Sequence, residues 1–98
     1  MRNRAPRPLA AAIRIARERA APQTPLAAVQ QAWPEIAGEQ VAAVSEPVAE
    51  RDGVIVVSCD GAVWAEELDL MQGRLLAALR ERLGEASPRG LRFEARPG

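Results

Sequence analysis

The sequence predicts a small α+β domain: one three-stranded sheet with helices packed on one face, in the order α-α-β-β-α-β. Three observations predict it. Four consecutive apolar, β-branched residues, Val54-Ile55-Val56-Val57, follow the hairpin signal Asp52-Gly53. Apolar residues then recur every three or four positions from Trp64 to Leu83, the period of a helix. At 98 residues and 10.5 kDa the chain has room for a single core.

The elements follow in order. Residues 1–8 hold two prolines and three arginines and bury too little to order themselves, so they read as a basic arm. From Leu9 to Ala21 the chain is Ala-rich, with Leu9, Ile13, Ala16 and Ala20 on one helical face and Arg14, Arg17 and Glu18 on the other. That is a short amphipathic helix that needs a docking surface to persist. Pro22 ends it, and Thr24-Pro25 gives an N-cap followed by proline at the first helical position. Leu26, Val29, Trp33 and Ile36 then share a face. Pro34 removes a backbone donor, which predicts a kink or a fresh start there. Gly38 predicts another break, with a helical turn around Val41, Ala42 and Val44.

Pro47 to Glu50 reads as an edge strand that begins on proline. Val54 to Cys59 is the central strand, and its unbroken apolarity predicts burial on both faces. Asp60 is positioned to cap the helix that carries Trp64, Leu68, Met71, Leu75, Leu79 and Leu83. Gly73 is a point where that helix can divide, and Gly84 is its stop. Leu91 to Ala95 alternates as a half-buried third strand. The residues expected in the core are Val56, Leu68, Met71, Leu75, Leu79 and Phe93.

Composition excludes most catalytic chemistry. The chain has no His, no Lys and no Tyr, and Cys59 is its one cysteine. The usual general base and zinc ligand are therefore missing, as are the phosphate-binding lysine and any internal disulfide. Glu66 and Glu67 are adjacent on a helix and point apart, so they form no acid–base pair. Ser45, Ser58, Ser87 and Thr24 have no histidine to activate them. No apolar run approaches a membrane span, and no apolar segment follows Arg2, Arg4 and Arg7 as it would in a secretory signal. These features point to a cytoplasmic binding module without cofactor, metal or small-molecule substrate.

The net charge of zero conceals a pattern. Residues 1–19 carry six arginines against Glu18, a net +5. Residues 20–69 carry Arg51 against nine acids, a net −8, and residues 70–98 are +3. Basic ends suit a polyanion. The acidic middle repels one, and suits a basic partner or plain solvent.

The string Val29-Gln30-Gln31-Ala32-Trp33-Pro34-Glu35-Ile36-Ala37-Gly38 resembles the Trp-x-x-[Ile/Leu/Val]-x-Gly signature of the DciA family. Ser45-Glu46-Pro47-Val48, Asp52 to Val57, Ala62 to Leu68, Leu75-Leu76 and Leu91-Arg92-Phe93 agree with it in order and spacing, over about residues 9–95. The resemblance implies a KH-like domain in a non-enzymatic bacterial replication protein. Such proteins bind the replicative DnaB-type helicase, assist its loading or operation, and touch single-stranded or fork DNA. The chain departs from KH domains in lacking a Gly-x-x-Gly loop, because Met71-Gln72-Gly73-Arg74 offers one glycine. It also lacks the long extension of many family members.

Three aromatic residues are too few for stacking platforms once a core has taken its share, so DNA contact is expected through phosphates. The candidate contacts are Arg2, Arg4, Arg7, Arg14 and Arg17 at one end and Arg89, Arg92 and Arg96 at the other, with Arg80 and Arg82 as additions. Trp33 is the candidate helicase contact, because a ring beside Pro34 and Gly38 can be partly exposed. The competing reading places Trp33 in the core. Trp64 is read as core, and Cys59 as a small buried residue rather than a reactive thiol. A different class also fits the charges: a general binder of single-stranded nucleic acid, RNA included, with no dedicated protein partner.

Overall fold

The structure, a computed structural model, describes residues 24–97. The expected arm and the Leu9–Ala21 helix, with Arg2, Arg4, Arg7, Arg14 and Arg17, lie outside the described residues. Helix α1 spans Pro25–Ala37 and α2 is the short Glu39–Ala42. Strands β1 (Ser45–Arg51) and β2 (Val54–Cys59) form the hairpin. Helices α3 (Ala62–Leu70) and α4 (Gln72–Leu83) follow, then a 3-10 turn at Gly84–Ala86 and strand β3 (Gly90–Ala95). The sheet order is β1-β2-β3. The fold is the expected small α+β domain, with Val54–Cys59 as its central strand.

Local chemistry explains most boundaries. The Thr24 hydroxyl accepts a bond from the Ala27 amide at 3.0 Å and caps α1, with Pro25 in the first turn. Asp52 and Gly53 both have positive φ, 51° and 84°, the turn that matches the twist of a two-residue hairpin. β1 pairs antiparallel with β2, and its register slips between Pro47 and Ala49. Proline cannot donate to a ladder, and a bulge beside it on an edge strand accommodates that loss. β3 pairs with β2 in parallel, Ile55 opposite Leu91 and Val57 opposite Phe93. A parallel partner needs a crossover, which α3 and α4 supply.

The core lies between the helices and one face of the sheet. Val29, Ala32, Trp33, Ile55, Val57, Cys59, Leu68, Leu75, Leu79 and Leu91 form one buried cluster. Val56 lies outside that cluster and is nevertheless 7% exposed, so β2 buries Ile55, Val57 and Cys59 on one face and Val56 alone on the other. Met71 and Phe93 pack against the cluster and are half-buried.

Three local expectations are corrected. α1 does not restart at Pro34; it runs through to Ala37, and the break comes at Gly38, where φ is +93°. Pro34 is exposed, so its ring sits inside the helix without burying the backbone bond it removes. Asp60 does not cap the following helix: Gly61 occupies the cap position without a side-chain bond, and the Asp60 carboxylate pairs with Arg96 at 3.2 Å. The long helix divides at Met71 rather than at Gly73.

Candidate functional site

Trp33 takes the second of its two expected places, the core, and Trp64, read as core, is partly exposed. Trp33 is 2% exposed. Its indole N–H donates to the Ser45 hydroxyl at 3.0 Å, and that hydroxyl donates to the Val41 carbonyl at 2.6 Å. The chain satisfies the one polar atom of a buried indole and ties α1 to α2 and β1 at a single point. The partial exposure on which its expected helicase contact rested is absent, and the ring is a core residue. Trp64, read as core, is 36% exposed on the first turn of α3.

Around Trp64 the surface is apolar and acidic together. Val63 is 74% exposed and Leu70 82%. They are seven residues apart and so share one side of α3. Glu66 and Glu67 flank that side, and both are exposed. Of the large apolar residues on α3, Leu68 alone is buried. A groove of about 310 Å³ runs between α3 and β3, lined by Ala65, Glu66, Asp69, Leu91, Arg92 and Phe93. This surface could have been noticed in the sequence, since Val63 and Leu70 fall outside the stripe that carries Leu68, Leu75 and Leu79.

Three of the described arginines are engaged by carboxylates. Arg92 pairs with Glu94 and Arg96 with Asp60, each at 3.2 Å. Arg82 pairs with Glu35. Arg89 lies over the hairpin, where a side chain at Gly53 would sit 2.9 Å from its Cγ and Cδ. Arg89 also lines a mostly apolar cavity of about 280 Å³ with Thr24, Val29, Glu50, Ile55 and Glu85. The Glu50 carboxylate is held there by the Gly53 amide at 2.7 Å. Residues 24–97 carry seven arginines against twelve acids, a net −5.

Cys59 is fully buried, and burial pushes its thiol up, so it holds its proton through the physiological range. Among the described residues no group of His, Cys, Asp or Glu could hold a metal ion. Among them, too, no helix is long and apolar enough to cross a membrane.

A family model described as "Dna[CI] antecedent, DciA" matches residues 8–93. The chain belongs to the DciA family. It is similar to a UPF0232 protein of Streptomyces coelicolor, 44% identical over 71 residues, which cover 68% of this chain and 37% of that one. A UPF0232 protein of Streptomyces avermitilis is 38% identical over 80 residues, covering 78% and 44%. One of Rhodococcus jostii is 36% identical over 61 residues, covering 62% and 32%. The chain thus spans less than half the length of each of these relatives. DciA membership brings a coarse role in DNA replication. The matched region contains α1 with Trp33, the hairpin, and α3 with Trp64.

Proposed function

We propose that this chain is a non-enzymatic adaptor of bacterial DNA replication. It binds the replicative DnaB-type helicase, assists its loading or operation, and contacts single-stranded or fork DNA weakly through arginines. The observation that carries the reading is the DciA family match over residues 8–93. The surface chemistry supports a protein partner over a nucleic acid, because residues 24–97 are net negative and Arg92 and Arg96 are already engaged by carboxylates. Phosphate contact falls chiefly to Arg2, Arg4, Arg7, Arg14 and Arg17, assisted by Arg89, and by Arg92 and Arg96 when their ion pairs exchange for phosphate. Exposed pairs of that kind contribute roughly 0–1 kcal/mol, so the exchange costs little.

A pull-down from bacterial lysate tests this. Recovery of a hexameric helicase that survives nuclease treatment is the expected result. Loss of the helicase on nuclease treatment would leave the general nucleic-acid binder as the better reading.

A further inference from the structure

We infer that the exposed face of α3, built on Val63, Trp64 and Leu70 and rimmed by Glu66, Glu67 and Asp69, is the surface on which the helicase docks, through a basic segment with an apolar side. The inference rests on the helicase reading above and names its surface.

Three observations converge on it. A nine-residue helix that buries one of its large apolar residues and exposes Val63, Trp64 and Leu70 is apolar where a solvated helix should be polar. Clustered exposed apolar residues rimmed by charge mark interaction surfaces, and tryptophan is enriched among residues that dominate binding. The rim has one sign: Glu66, Glu67 and Asp69 are all exposed, and none has an ion pair among the described residues. Glu94, Asp60 and Glu35 are engaged by Arg92, Arg96 and Arg82, and Asp69 accepts a bond from the Gln72 amide at 3.0 Å, whereas Glu66 and Glu67 remain available to an incoming cation.

The charge decides between classes of partner. A single-stranded nucleic acid laid along the Val63–Leu70 side would bring phosphates against Glu66 and Glu67, whereas a basic protein segment gains from each. The groove between α3 and β3 adjoins the patch and carries Glu66 and Asp69 on its α3 wall, while Arg92 on the β3 wall is paired with Glu94, so a lysine or arginine from the same segment can lie along the α3 side. Apolar contact supplies affinity at the centre and the acidic rim supplies orientation and association rate.

The test is a titration of the purified hexameric helicase against the full chain and three variants. The double variant Val63→Ser, Leu70→Ser should weaken binding at least tenfold with an unchanged melting temperature, because both side chains are mostly in water. The double variant Glu66→Arg, Glu67→Arg should weaken it at least tenfold at low salt and less at high salt. Val48→Ser, at an exposed position on β1, should bind as the parent does. Parental affinity in both α3 variants would overturn this assignment and leave the helicase reading intact. Absence of binding by the parent would overturn the helicase reading, and the assignment with it. Single-stranded DNA binding lost in the serine variant would make the patch a nucleic-acid surface and also overturn it. Acrylamide quenching of the free chain should find one accessible tryptophan. Two protected tryptophans would show the patch covered by this chain or a second copy, which contradicts a free docking face.

Discussion

α1 and α3 each carry a tryptophan on a short apolar helix, and the sheet treats them oppositely. α1 lies across the sheet and inserts Val29, Ala32 and Trp33 into the core. Its indole finds Ser45, twelve residues on, and is satisfied there. α3 inserts Leu68 alone and leaves Val63, Trp64 and Leu70 outside. The difference is one of length and geometry. α1 sets three residues in the core against β1 and α4, whereas α3 lies on β3 and β2 through Leu68 and the half-buried Ala65 and turns at Met71 into α4, whose Leu75 and Leu79 extend the core. An aromatic residue on an apolar helix is therefore a core residue in one case and surface in the other, and a partner atom elsewhere in the chain decides which.

That contrast can be broken most severely at Trp33. Trp33→Ala should cost about 3–5 kcal/mol, enough to unfold much of a domain this small. Circular dichroism should show a lost or sharply lowered transition, and a native melt would return Trp33 to the surface. Leu75→Ala, in the core face of α4, should cost roughly 2–5 kcal/mol by the same measurement. Ser45→Ala is a finer probe. It keeps the ring and removes its acceptor, leaving a buried N–H unpaired at a cost of about 1–3 kcal/mol. Denaturant unfolding at constant slope measures that loss.

Cys59 reports the same core without disturbing it. Its raised pKa and burial should make the native thiol resist alkylation at neutral pH. The sign follows from the direction of the shift: the neutral thiol is favoured in the fold, so reactivity appears on opening or at high pH. Labelling at least tenfold faster in Ser45→Ala than in the parent is expected, and equal rates would separate Cys59 from the Trp33 hub. The acidic α3 surface sharpens the contrast from another side, because it sends phosphate contact elsewhere. If about four phosphates are neutralised, log K against log salt should slope at roughly −3 for a single strand. Deleting residues 1–8 removes Arg2, Arg4 and Arg7 and should flatten that slope. An unchanged slope would place the contact on other arginines.

Local signals made much of the fold legible. Thr24-Pro25 began a helix, Asp52-Gly53 turned a hairpin, Val54 to Cys59 formed the central strand and Gly84 stopped α4. Each is decided by neighbours within a few residues. What was not legible depends on distant partners. Asp60 had the chemistry of a cap, and Arg96 drew its carboxylate away. The parallel pairing of β3 has no local signature, since strand direction is set by the crossover. The fates of Trp33 and Trp64 depended on Ser45 and on where the third helix ended. The candidate arginines were legible as charges, but the carboxylates that engage Arg92 and Arg96 were not.

The account turns on α1 serving the fold and α3 serving the partner, and Trp64→Ala tests that most directly when melting and helicase affinity are measured on the same preparation. The ring is about a third exposed and packs incompletely, so the substitution should cost only about 1–2 kcal/mol of stability, well below the Trp33 value. The domain should remain folded while helicase affinity falls at least tenfold, about 1.4 kcal/mol. A folded Trp64→Ala chain that binds the helicase as tightly as the parent would contradict the account, and so would a chain that unfolds as completely as Trp33→Ala.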